Sequence, residues 1–206
     1  MTARPLDPRR LDVAAFTEEA RSLEGDFALS TLQRLAACEC PAPEVTDQAG
    51  QPMAALEGSP ASARHVHWRA EGMQVPAAGL PPQVWLGLQA DTTVVLQCQR
   101  CLQALASRVR VDRRFRFVAD EAAAAALDEQ IDDEVLVLTP ALDLRDLLED
   151  ELLLALPLVP RHDRCPEPLP TSFGEDELPE DEAAHPFAKL AILRKDTEGD
   201  GGPDIG

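Results

Sequence analysis

The chain has 206 residues, 37 acidic and 19 basic, for a formal net charge of −18. That length can bury a core without disulfide staples, and that charge excludes a protein that coats nucleic acid with its whole surface. The imbalance is local: residues 1–119 hold 13 acidic and 13 basic side chains, and residues 120–206 hold 24 and 6.

In residues 11–37 short apolar groups alternate with charge, and Ser30-Thr31 precede a pattern that puts Leu32, Leu35 and Ala36 on one helical face, so a strand and then a helix are predicted. Residues 41–63 turn to Pro, Ala, Gly, Gln and Ser, the composition of a mobile insertion. The middle of the chain reads as β. In His65 to Glu71 the apolar Val66, Trp68 and Ala70 alternate with His65, His67, Arg69 and Glu71. From Val84 to Cys98 one parity holds Val84, Leu86, Leu88, Ala90, Val94, Leu96 and Cys98, with Asp91-Thr92-Thr93 as a candidate turn or bulge. From Arg108 to Val118, Val109, Val111, Phe115 and Phe117 take one face, and Arg108, Arg110, Arg114 and Arg116 take the other, with Asp112 the lone acid among them.

A helix is predicted over Asp120 to Glu129 from its alanine run, then a brief strand over Val135 to Leu138. Pro140 or Asp143 can start the next helix, in which Leu144, Leu147, Leu148 and Leu152 recur at helical spacing until Pro157 ends it. The prediction is an α+β protein: an antiparallel β-sheet packed by helices, with a disordered acidic C-terminal tail. A domain over 1–162, with 41–63 as its insertion, is followed by a tail over 163–206. Within the tail, residues 186–195 form a short amphipathic segment whose Phe187, Leu190 and Leu193 are candidates for docking on a partner.

Five cysteines are too few and too scattered for a secreted disulfide framework, and no apolar stretch of a secretory signal follows Met1 to Arg10. The longest apolar run, Leu152 to Pro160, is half a membrane span and contains two prolines. A cytoplasmic protein with reduced thiols and no membrane association is expected. No phosphate-cradling glycine loop, HExxH or GxSxG pattern occurs, so neither an enzyme nor a small-molecule substrate is expected.

Cys98-Gln99-Arg100-Cys101 falls where one strand ends and the next begins, and thiolates at this spacing can share one zinc ion. His162-Asp163-Arg164-Cys165 repeats the two-residue gap and would complete a set of Cys98, Cys101, His162 and Cys165 with zinc as the possible cofactor. The alternative keeps Cys98 as a core residue, Cys101 in a turn and the distant pair in a loop. Cys38-Glu39-Cys40 reads as a helix end, and His65 and His67 read as the wet face of a strand. Glu149-Asp150-Glu151 cannot converge on one atom, because consecutive helix residues point about 100° apart, so a solvated or partner-facing edge is expected. The arginines at alternating strand positions stand about 7 Å apart and suit a phosphate backbone. Arg108, Arg110, Arg114 and Arg116 are therefore candidates for nucleic-acid contact, with the chain's own acids as the competing destination.

Cys98-Gln99-Arg100-Cys101-Leu102, together with the run from Leu148-Glu149-Asp150-Glu151 to Leu158-Val159-Pro160, resembles the YceD family, described as large ribosomal RNA subunit accumulation proteins. The resemblance extends to Leu6-Asp7-Pro8, Gly25, the Leu32 to Leu35 helix, His162, Cys165, Phe173-Gly174-Glu175 and Pro186 to Leu190, and it omits only 41–63. It implies a non-enzymatic factor supporting synthesis, processing or stability of 23S rRNA and large-subunit assembly. The partner would be rRNA or a pre-ribosomal particle, met directly or through a ribosomal protein, and in the direct case Arg100, Arg108, Arg110, Arg114 and Arg116 are the RNA-contact candidates. Some relatives carry a full second cysteine pair, which implies metal-binding ancestry, and this chain departs in having His162 and Cys165 there. A second reading, from the charge, is an acidic chaperone or holder of a basic ribosomal protein.

Overall fold

The computed structural model describes residues 6–40, 42–54, 56, 63–131 and 133–167. The chain divides into units 1–168 and 169–206, and every described residue belongs to the first. The segment 186–195, with Phe187, Leu190 and Leu193, and the rest of the tail after 167 lie outside the described residues.

The elements are α1 (Val13–Glu18), β1 (Ser22–Ala28), a 3-10 turn (Leu29–Thr31), α2 (Gln33–Ala37), β2 (His65–Ala77), β3 (Leu80–Gln97), β4 (Ala104–Val118), α3 (Glu121–Asp128), β5 (Glu134–Val137) and α4 (Leu144–Leu154). The strands form one sheet in chain order, β1-β2-β3-β4-β5. The α+β class is as predicted. The first four strands pair antiparallel, and β5 joins β4 in parallel, from Phe115 opposite Glu134 to Val118 opposite Val137, so the sheet is mixed rather than wholly antiparallel. The reason is the connection: α3 carries the chain back before β5 begins, and a helical crossover returns a strand in the same direction.

One sheet face builds the core. Val66, Ala70, Leu86, Leu88, Val109 and Phe115 point inward from three strands and meet Phe16 of α1, Leu35 of α2 and the leucines of α4. Leu144, Leu148 and Leu152 are fully buried, each worth about 1.5–3 kcal/mol as removal of apolar surface from water. Asp143 starts α4 by accepting the Arg145 and Asp146 N–H groups. The helix α1 was not predicted. Asp12 caps it, accepting from Ala15 N at 3.1 Å, and it packs so tightly on β2 that a Cβ on Gly72 would lie 2.7 Å from the Phe16 ring. The strands β2 and β3 also outrun their alternating patterns. Pro76 sits at the register shift between Val75 and Ala77, and Pro81 and Pro82 lie beyond Val84, the last β3 residue paired to β4, so their missing N–H groups break no ladder. Thr92, expected at a turn or bulge, lies inside the continuous β3, buried, and its hydroxyl donates to the His65 carbonyl.

The acids Glu149 and Glu151 are not the solvated edge that their sequence suggested. Both are buried, and they reach different elements. Glu149 Oε1 accepts the N–H groups of Arg34 (2.7 Å) and Leu35 (3.1 Å), capping α2 with a carboxylate, while Asp150 pairs with the Arg34 side chain. Glu151 accepts from Arg113 Nε at 3.3 Å. Arg113 shares the parity of Val111 and Phe115 and so faces the helix layer rather than the arginine side of β4.

Burial pushes the Glu151 carboxyl above its usual range, and Glu134 adds to the shift while Arg113 opposes it. A carboxyl raised on folding contributes most at low pH, and that contribution is lost as pH rises through the folded value. The substitution Glu151→Gln keeps an acceptor for Arg113 and removes the titration. The Tm difference, variant minus wild type, is expected to grow between about pH 4 and about pH 8 in thermal melts; a flat or falling difference refutes the assignment.

Candidate metal centre

The turn between β3 and β4 is closed by two backbone bonds, Cys98 N–H to the Gln103 carbonyl and Leu102 N–H to the Cys98 carbonyl, both 2.9 Å. Leu102 takes φ +62°, a left-handed conformation that costs an L-residue about 1–2 kcal/mol. After α4 the chain returns to this turn. Gln99 N–H donates to the Pro160 carbonyl at 2.8 Å, and His162 is buried beside the cysteines.

Cys98, Cys101, His162 and Cys165 are thereby brought together, with ligand atoms all within 4.8 Å of one another. His162 Nδ1 lies 3.4 Å from Cys101 Sγ. Three sulfurs and one imidazole are the donor set of a closed, tetrahedral site for a soft or borderline cation, and bonds of about 2.3 Å place sulfurs about 3.8 Å apart, so small side-chain motions close the cluster. The donors fit a metal. Cys98 is thus both the buried residue of its strand parity and a member of the cluster.

The electrostatics suit metal uptake. Burial alone would raise the Cys98 thiol, but backbone groups of Cys101, His162 and Arg100 hydrogen-bond to its sulfur and bring it down to about 6. Cys101 goes the other way. Burial, with the neighbouring Cys165 and Cys98, lifts it to about 11 against one backbone bond from Gln103. One thiolate is therefore formed in advance, and a cation must displace a proton from its neighbour.

Residues 42–54, inside the segment read as an insertion, carry no helix or strand, but they dock at this end of the sheet. Thr46 N–H donates to the Ala104 carbonyl and Ala106 N–H to the Thr46 carbonyl, so Thr46 pairs with β4. Val45 packs against Val95, Ala104 and Ala106 in a second apolar cluster. Gln48 accepts from Asp163 N–H at 2.7 Å, and a Cβ on Gly50, at φ +80°, would stand 2.6 Å from the Arg164 carbonyl oxygen. The boundary drawn after residue 162 falls within this attachment. Nothing in its sequence marked Thr46, whose hydroxyl lies 2.7 Å from His162 Nε2.

The arginine candidates separate. The guanidinium of Arg100 donates to Cys165 Sγ (3.1 Å) and to the carbonyls of His162 (2.7 Å) and Asp163 (3.3 Å), so it clamps the Cys/His cluster. On the sheet face away from the helices, Arg108 pairs with Asp91 at 3.1 Å, and Arg116 lies over the Trp85 ring, 6.0 Å from its centroid. Among the described residues Arg110, Arg114 and Arg116 make no ion pair. Register places Asp91 opposite Arg110 and Gln89 opposite Asp112, so acids alternate with this stripe. His67 faces Asp26 on the same side, and Cys38 ends α2, as read from the sequence. Among the described residues no helix is long and apolar enough to cross a membrane.

No solved structure matches the chain. A family model described as "Large ribosomal RNA subunit accumulation protein YceD" matches residues 86–194, a span that contains all four cluster residues and the arginine strand.

Proposed function

The chain belongs to the YceD family, and from that premise we propose that it acts without catalysis, in the cytoplasm, to support the synthesis, processing or stability of 23S rRNA and hence large-subunit assembly. Its partner is rRNA or a pre-ribosomal particle. The observation that carries direct RNA contact is on the sheet face away from the helices, where Arg110, Arg114 and Arg116, beyond the part covered by Val45, make no ion pair among the described residues. Guanidinium groups at alternating strand positions match consecutive phosphates and pair with them bidentately. The neighbouring acids Asp91 and Asp112 keep such an interface weak and reversible, the property required of a factor that must leave a finished particle.

Cys98, Cys101, His162 and Cys165 hold zinc in this reading. The bound ion would supply a cross-link between the β3–β4 turn and the segment after α4. The protein's own residues do the rest: the turn presents two thiols, Gln99 anchors Pro160, and Arg100 holds the His162 to Cys165 backbone against the turn.

Replacing Arg110, Arg114 and Arg116 together by glutamine tests the RNA interface. Loss of three phosphate contacts is expected to weaken binding to rRNA fragments and to reduce the slope of log affinity against log salt by about 2, at roughly 0.7 per phosphate on single strands. Unchanged affinity and slope would remove RNA contact through this face, and a partner protein would then carry the link to the particle.

A further inference from the structure

We propose that two residues which supply no metal ligand shape the metal centre: Thr46 selects the ligating nitrogen of His162, and Arg100 balances the charge of the thiolates. The inference rests on the reading of the Cys/His cluster as a zinc site.

The Thr46 hydroxyl has one proton and two neighbours. It lies 3.2 Å from the Ala104 carbonyl oxygen, which can only accept, and 2.7 Å from His162 Nε2. With the proton committed to Ala104, the oxygen turns a lone pair to Nε2, which must then carry the imidazole hydrogen. Nδ1 is left bare, and it is the nitrogen 3.4 Å from Cys101 Sγ, inside the cluster. The backbone of Thr46 is held on β4 through Ala104 and Ala106, so the hydroxyl is fixed in place before any ion arrives. Ligand orientation by an outer hydrogen bond is the usual way a protein fixes a histidine tautomer.

Arg100 meets the other side of the cluster. A divalent cation with three thiolates and a neutral imidazole keeps one negative charge, and the Arg100 guanidinium, donating to Cys165 Sγ, supplies one positive charge against it. The same guanidinium holds the carbonyls of His162 and Asp163, so removing it costs both charge balance and ligand placement.

The test uses the full chain and zinc alone. Nitrogen NMR of histidine-labelled, zinc-loaded protein is expected to show His162 metal-bound at Nδ1 and protonated at Nε2; binding through Nε2 overturns the Thr46 assignment. In chelator competition Thr46→Val is expected to weaken zinc by about 10–100-fold, with Thr46→Ser restoring it. Arg100→Gln should weaken zinc similarly, and Arg100→Lys, which keeps the charge, should retain more of the affinity. Wild-type protein that binds zinc tightly together with Thr46→Val and Arg100→Gln variants that bind it equally well overturns this inference alone. Wild-type protein with no tight zinc site overturns the zinc reading and this inference with it.

Discussion

Protein purified without chelator is expected to contain one zinc per chain, and Cys98→Ala is expected to contain none and to melt on the order of 10 °C lower. The size of the effect comes from chain connectivity. Bridging the β3–β4 turn to His162 closes a loop of about 60 residues, and in chain-entropy terms a cross-link over such a loop is worth about 4 kcal/mol. Cys98 is the position to change because it is the fully buried cysteine of the set, and backbone groups of Cys101, His162 and Arg100 favour its ionised form. Cys98 is lowered to about 6, so its ionised form and the contribution it makes are lost as pH falls through that value. Elemental analysis and thermal melts of both proteins, each purified without chelator, measure the two effects. A metal-free wild type, or a Cys98→Ala variant that keeps zinc and Tm, refutes the site.

The substitution Glu149→Ala is expected to destabilise the fold by about 3 kcal/mol, because it strands buried donors rather than merely deleting an ion pair. Its carboxylate accepts the N–H groups of Arg34 and Leu35 at the start of α2 and pairs with the Arg34 guanidinium at 3.4 Å. Alanine leaves two N–H groups at the buried end of a short helix, at about 1–3 kcal/mol per stranded donor less what relaxation recovers. Glu149→Gln keeps an oxygen acceptor for those N–H groups and should cost less than half as much. Urea unfolding of the three proteins decides it. A loss under about 0.5 kcal/mol for alanine would mean that α2 is held by Leu35 alone.

These two sites show where the sequence was readable. The alternation of Leu86, Leu88 and Ala90 and the helical recurrence of Leu144, Leu148 and Leu152 are local patterns, and each became the buried face it implied. The pairing of Cys98-Cys101 with His162-Cys165 was legible from spacing, because each half is a short motif in itself. Contacts set by distant partners were not legible. Arg34 lies 115 residues from Glu149, and Arg100 finds its acceptors 62 and 63 residues away, so a solvated helix edge and a phosphate contact were the natural local readings of groups that the fold uses internally. The parallel pairing of β5 depends on the α3 crossover, which no strand pattern records. The helix α1 spans only six residues, too few to establish a period.

The sheet has two outer strands, and both carry acids. β1 contributes Glu24 and Asp26, and β5 is four residues long, opens with Glu134 and follows Asp133. A second molecule offering either margin for strand addition would bring like charge to like charge along the new ladder, and at β5 it would gain few backbone bonds in return. Self-templated growth, the common hazard of an open sheet, is therefore disfavoured at both margins of the described sheet.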